Sequence, residues 1–77
     1  MIRIMEFNKN NIKEIYCILY PETQNNDDDF WNSLNKEILK NKGLNYNNEF
    51  IPLGKYLVRD RYGNALFYDY EVVKKYI

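Results

Sequence analysis

The chain carries few side chains suited to covalent chemistry. Its 77 residues include one cysteine (Cys17), one serine (Ser33), one threonine (Thr23) and no histidine. A hydroxyl or thiol nucleophile activated by an imidazole is therefore excluded. Gly43, Gly54 and Gly63 are too dispersed to form a phosphate-cradling loop. One thiol without histidine cannot make an ordinary zinc site, and it leaves no partner for a disulfide within the chain. Carboxylates are the remaining reactive groups. Asp27, Asp28 and Asp29 are consecutive, so on a helix they point about 100° apart and do not converge on one ion. A calcium loop needs spaced acids and a glycine at its sixth position, and neither Asn25 nor Asp27 starts such a pattern. At the start of a helix, with Asn26 as its cap, the same three acids complement the positive end of the helix dipole. The expectation is a non-enzyme with no metal and no cofactor.

Binding chemistry is better represented. Residues 21–30 hold four acids, Glu22, Asp27, Asp28 and Asp29, and no base, although the whole chain is neutral. An exposed acidic segment attracts a basic surface and speeds encounter with it. Trp31 follows directly and can anchor a contact. Near the other end, RDRYGNALFYDY places Arg59, Arg61 and Tyr62 around a turn. These eight residues are the candidate partner-binding set. The partner they suit best is a protein, foremost a basic one that handles nucleic acid. Zero net charge disfavours direct binding to nucleic acid, which draws its affinity from phosphate neutralisation. A homodimer formed by an exposed edge strand, IRIMEF or the hairpin, is a further expectation.

The elements that must position these residues can be read from periodicity. IRIMEF (residues 2–7) reads as a strand. In NIKEIYCILY, Ile12, Ile15, Tyr16 and Leu19 fall at the spacing of one helix face. Asn11 and Glu14 stand at the two positions of a capping box, and Pro21 ends the helix. A second helix spans Asp27 to Lys42, with Phe30, Trp31, Leu34 and Ile38 on its apolar face and Gly43 as left-handed terminator. Residues 44–54 read as an irregular connector, because Pro52 and Gly54 interrupt it. Residues 55–70 form a hairpin with Gly63 at positive φ, and Leu66 or Phe67 supplies its buried face. Asp69 caps a last helix, EVVKKYI, whose Val72, Val73, Tyr76 and Ile77 face inward.

The predicted fold is α+β: one compact domain over residues 1–77, ordered β-α-α-β-β-α. An antiparallel sheet, the C-terminal hairpin plus the N-terminal strand, packs on two amphipathic helices. A domain this small buries only about 60% of its unfolded surface, so the 13 aromatic residues must pack well. MIRIMEFNKNN lacks the pattern of a secretory signal, and no segment has the roughly 18 to 20 apolar residues of a membrane span. A cytoplasmic location with a reduced cysteine follows as the expectation. Richness in Asn, Lys, Ile, Tyr and Phe points to an AT-rich genome, such as a low-GC bacterium or its phage.

From residue 55 on, KYLVRDRYGNALFYDYEVVKKYI resembles the C-terminal half of excisionase-like and MerR-like winged-helix domains. Strand, short basic turn, strand and short helix follow in the same order. The resemblance implies DNA binding, with Arg59 and Arg61 in the wing and Asp27–Lys42 as recognition helix. Lys55, Lys74 and Lys75 would assist. Against it, Asp27, Asp28 and Asp29 would open that recognition helix, and phosphates repel them. The profile as a whole (short, cysteine-poor, non-catalytic, aromatic, with an acidic patch) is similar in type to phage proteins that inhibit host defence, such as anti-CRISPR and anti-restriction proteins. The favoured expectation is thus a small inhibitory interaction module. A winged-helix DNA-binding regulator and a homo-oligomeric assembly protein are the alternatives.

Overall fold

The fold was analysed in a computed structural model that describes all residues except Met1 and Gln24. Among the described residues, five short strands and three α-helices follow in the order β1 (Arg3–Glu6), α1 (Ile12–Leu19), α2 (Asp28–Asn41), β2 (Gly43–Tyr46), β3 (Glu49–Pro52), β4 (Tyr56–Arg59), β5 (Ala65–Tyr68) and α3 (Tyr70–Val73). A single 3₁₀ turn, Lys74–Tyr76, ends the chain. β1, β4 and β5 make an antiparallel sheet with β4 in the middle, and β2 and β3 make a separate hairpin. The domain is α+β, as its sequence pattern predicts. Among the described residues, no helix is long and apolar enough to cross a membrane.

The core lies where α1 and α2 meet one face of the sheet. Phe7, Ile12, Ile15, Leu19, Ile38, Leu44, Ile51 and Leu57 form one buried cluster. Leu57 stands opposite Met5 on one side and Phe67 on the other, so these three share the inner face. The Phe67 ring tilts against Phe7 at 6.2 Å. Ile4, Val58 and Leu66 form the matching outer row. Phe67 therefore supplies the hairpin's buried face, while Leu66 remains 57% exposed.

Five local features depart from the sequence reading. First, residues 44–54 hold a strand pair where a connector was expected. Asn47 and Asn48 adopt φ of 50° and 64°, the two consecutive left-handed residues of a type I′ turn. The paired Leu44 and Ile51 then both enter the core. Second, the left-handed terminator of α2 is Lys42 (φ 57°), not Gly43. Gly43 opens β2 instead and is buried under the Phe50 ring. Third, Asp27, not Asn26, caps α2: its carboxylate accepts the Asp29 N–H at 2.9 Å. Fourth, the capping box at α1 does not form. Asn11 Oδ1 accepts from the Asn8 N–H (2.9 Å), and Glu14 pairs with Arg3. Fifth, α3 is only one turn long and buries Val73 alone, so Val72, Tyr76 and Ile77 are exposed. Val73 is buried outside the main cluster, on an element that contacts β4.

Candidate functional site

The start of α2 gathers Asp27, Asp28, Asp29 and Trp31. Asn25 Oδ1 accepts the Asp27 N–H at 2.7 Å, and Asp27 in turn accepts from Asp29. Two successive side-chain-to-backbone turns thus fix the approach to the helix. Asp28 and Asp29 are exposed. Among the described residues, none of Glu22, Asp27, Asp28 and Asp29 is in an ion pair. The ion pairs found are Arg3–Glu14, Lys55–Asp69 and Lys74–Glu71. Glu22 is exposed in the turn after α1, where the Thr23 N–H reaches the Tyr20 carbonyl at 3.0 Å.

Trp31 is half-buried and contacted on several sides. Its indole N–H donates to the Asn25 carbonyl. Its ring meets Tyr16 edge-on at 5.8 Å and Phe30 at 5.0 Å, while the Lys13 ammonium lies over it at 5.3 Å. These are favourable aromatic and cation–π geometries. A 260 Å³ cleft beside it is lined by Lys13, Cys17, Thr23, Asn25 and Asn26. Cys17 also lines a second cleft of 280 Å³, which contains Arg3, Glu14, Ile18 and Arg59. Arg59 therefore does not lie at the hairpin tip with Arg61, as the sequence suggested. It shares the inner face with its cross-strand partner Arg3 and turns toward α1. The reason is parity: Arg59 is two residues from the buried Leu57, and alternate strand residues share a face.

The tip itself belongs to Arg61 and Tyr62. The Arg61 guanidinium donates to the Tyr62 hydroxyl at 2.8 Å and lies 5.0 Å from its ring centre. Tyr62 is 74% exposed. Asp60 organises the turn beneath them, accepting the Asn64 side-chain amide (2.9 Å) and the backbone N–H groups of Tyr62 (2.9 Å) and Asn64 (3.0 Å). The Asn64 side chain foremost, with these backbone groups, holds the Asp60 carboxyl below the ordinary aspartate value. The candidate residues thus fall apart: Asp27, Asp28, Asp29 and Trp31 at the start of α2, Glu22 in the turn after α1, Arg61 and Tyr62 at the hairpin tip, and Arg59 between strand and helix.

No three of the Cys, Asp and Glu side chains come together as metal ligands among the described residues. Tyr20 is the other group with a perturbed titration. Burial, then the neighbouring Tyr16 and Tyr46 hydroxyls, push its pKa up. Its hydroxyl donates to the Asn45 carbonyl at 2.9 Å and ties α1 to the β2–β3 hairpin.

One surface was not apparent in the sequence. A 360 Å³ cleft separates β5 from the β2–β3 hairpin, lined by Tyr46, Asn47, Glu49, Ile51, Ala65, Leu66 and Phe67. Its sequence signal was the Asn47-Asn48 pair between two strand-like tetrapeptides, which marks a two-residue hairpin. Comparison with known proteins yields no family model, no curated protein and no solved structure that matches the chain.

Proposed function

We propose that this chain is a small non-catalytic interaction module that binds a basic surface of a protein partner through the first turn of α2. The observation that carries this reading is the pairing of exposed, unneutralised carboxylates on Asp28 and Asp29 with the braced aromatic group of Trp31, Tyr16 and Phe30. The carboxylates steer encounter, and the pre-ordered ring gives contact area at small entropic cost. Glu22, exposed in the turn after α1, belongs to the same acidic segment of the sequence. Binding of this kind blocks a nucleic-acid-handling protein by occupying the basic surface its substrate needs. Inhibition of a host-defence protein by a phage or mobile-element product is the biological setting that fits.

The test is kinetic. A partner recovered from host cells with the wild-type chain is measured against the double variant Asp28→Asn/Asp29→Asn. Asp27 is retained, because removing a cap costs about 1 kcal/mol of helix stability and would blur the result. The expected outcome is a slower, less salt-sensitive association, with thermal stability lowered only by the lost helix-dipole contribution of about 0.3–1 kcal/mol per carboxylate. An unchanged on-rate at low salt rejects the acidic surface. A DNA-binding reading rests on the exposed Arg61 at the hairpin tip. A salt-sensitive gel shift at micromolar protein, abolished by Arg61→Ala, would favour that reading instead.

A further inference from the structure

The three-stranded sheet has two outer edges, and they are finished differently. Hydrogen bonds at the ends of the ladders fix which backbone groups point where. Phe7 N–H donates to the Lys55 carbonyl (2.8 Å), and Asp60 N–H donates to the Asn64 carbonyl (3.1 Å). Antiparallel pairing alternates from these points. With the registers Met5–Leu57 and Val58–Leu66, Leu57 and Arg59 direct their N–H and C=O toward β1, and Tyr56 and Val58 toward β5. On β5, Leu66 and Tyr68 answer β4, so Ala65 and Phe67 direct their N–H and C=O away from the sheet. The same count turns Ile4 and Glu6 outward on β1.

The β1 edge is guarded. The Asn11 side chain donates to the outward Glu6 carbonyl, and Arg3 on the strand pairs with Glu14 of α1. Charges on an edge strand are a common way to prevent strand addition. The β5 edge has neither device. Ala65–Tyr68 contains no charge and no proline, and among the described residues nothing bonds to the outward groups of Ala65 and Phe67. The 360 Å³ cleft runs beside it, and Glu49, which is exposed and in no ion pair among the described residues, is the one acidic or basic residue in the lining.

We propose that the β5 edge is a strand-addition site that takes an extended segment of a protein partner, with a lysine or arginine placed against Glu49. This rests on the reading of the chain as a protein-interaction module and supplies it with a second, main-chain contact. The added strand would exchange hydrogen bonds with Ala65 and Phe67, and an apolar side chain would enter the cleft against Ile51 and Phe67. Main-chain bonding gives such complexes affinity, and side-chain pockets give specificity.

Two variants separate the edge from the rest of the fold. Ala65→Pro removes only an outward N–H, which β4 does not use, and edge strands tolerate proline in that position. Glu49→Lys reverses the cleft's charge. The probe is a nine-residue strand-forming peptide alternating threonine and valine with one central lysine, titrated into labelled wild-type protein and followed by amide NMR. Saturable shifts and slowed hydrogen exchange at Ala65 and Phe67 are expected, with binding at least tenfold weaker in Ala65→Pro and in Glu49→Lys. A glutamate-for-lysine peptide should reverse the preference of Glu49→Lys. No shift at these amides at millimolar peptide, or equal binding by Ala65→Pro, overturns the proposal. Protection of the same amides without peptide that rises with protein concentration also overturns it, because a second copy would then occupy the edge. Against the recovered partner, a loss of binding in Asp28→Asn/Asp29→Asn but not in Ala65→Pro rejects the edge and keeps the module. A loss in neither rejects both.

Discussion

Gly43 shows how one missing methyl group can hold two elements together. The Phe50 ring lies over it, and a Cβ built there would stand 2.5 Å from the Ile51 carbonyl oxygen. A ring can swing aside, but a carbonyl inside a strand pair cannot. Gly43→Ala should therefore destabilise the protein by ~1–3 kcal/mol, the usual range for overpacking. Urea unfolding measures it. Adding Phe50→Ala should recover only part of the loss, because the carbonyl clash remains. Full recovery would mean that the ring alone makes the site tight. The sequence placed this glycine at the end of α2 correctly but gave it the wrong task. A helix terminator and a close-approach glycine look alike until the partner atom is known.

At the scale of elements, the end of α2 and the turn after β2 both place ordinary residues in left-handed backbone. Lys42 carries φ 57° and satisfies two helix carbonyls, those of Ile38 and Leu39. A residue with a Cβ pays for that conformation in steric energy, and glycine does not. Lys42→Gly should stabilise the protein by ~0.5–1 kcal/mol, which raises Tm by roughly 2–8 °C in a domain of this size. A thermal melt checks it, and a lowered Tm would show that the Lys42 side chain matters more than its backbone. The strands at each end of the chain and both longer helices were legible, because local periodicity of 2 and 3.6 residues writes them. The β2–β3 hairpin was obscured by Pro52 and Gly54. Pro52 is tolerated because the Leu53 N–H bonds to the Lys42 carbonyl, so the alternation of the ladder turns the Pro52 nitrogen away from β2.

At the scale of the whole molecule, stability converges on few residues. Phe7, Ile15 and Leu57 are fully buried in the main cluster, and each comes from a different segment. A 77-residue chain has roughly 4–12 kcal/mol of stability in total, at about 0.05–0.15 kcal/mol per residue. Phe7→Ala should cost ~3–5 kcal/mol and leave a large unfolded fraction at 37 °C by circular dichroism. Leu66→Ala, on the exposed outer face, should cost under about 0.5 kcal/mol. Comparable losses in both would mean that the outer face is covered in solution.

The sequence by itself determined the reactive inventory and the α+β pattern: no histidine, a single thiol, an acidic run before Trp31, and a glycine turn at Gly63. These depend on residue type and near neighbours, which a sequence displays directly. Only the tertiary structure decided that Arg59 turns toward α1, that Val72, Tyr76 and Ile77 stay exposed, and that β5 keeps an open edge beside the Glu49 cleft. Each of those facts depends on which distant segment lies across from the residue. Apolar spacing says that a face exists, but only the packing of β4 between β1 and β5, and of the β2–β3 hairpin beside them, says which faces are covered.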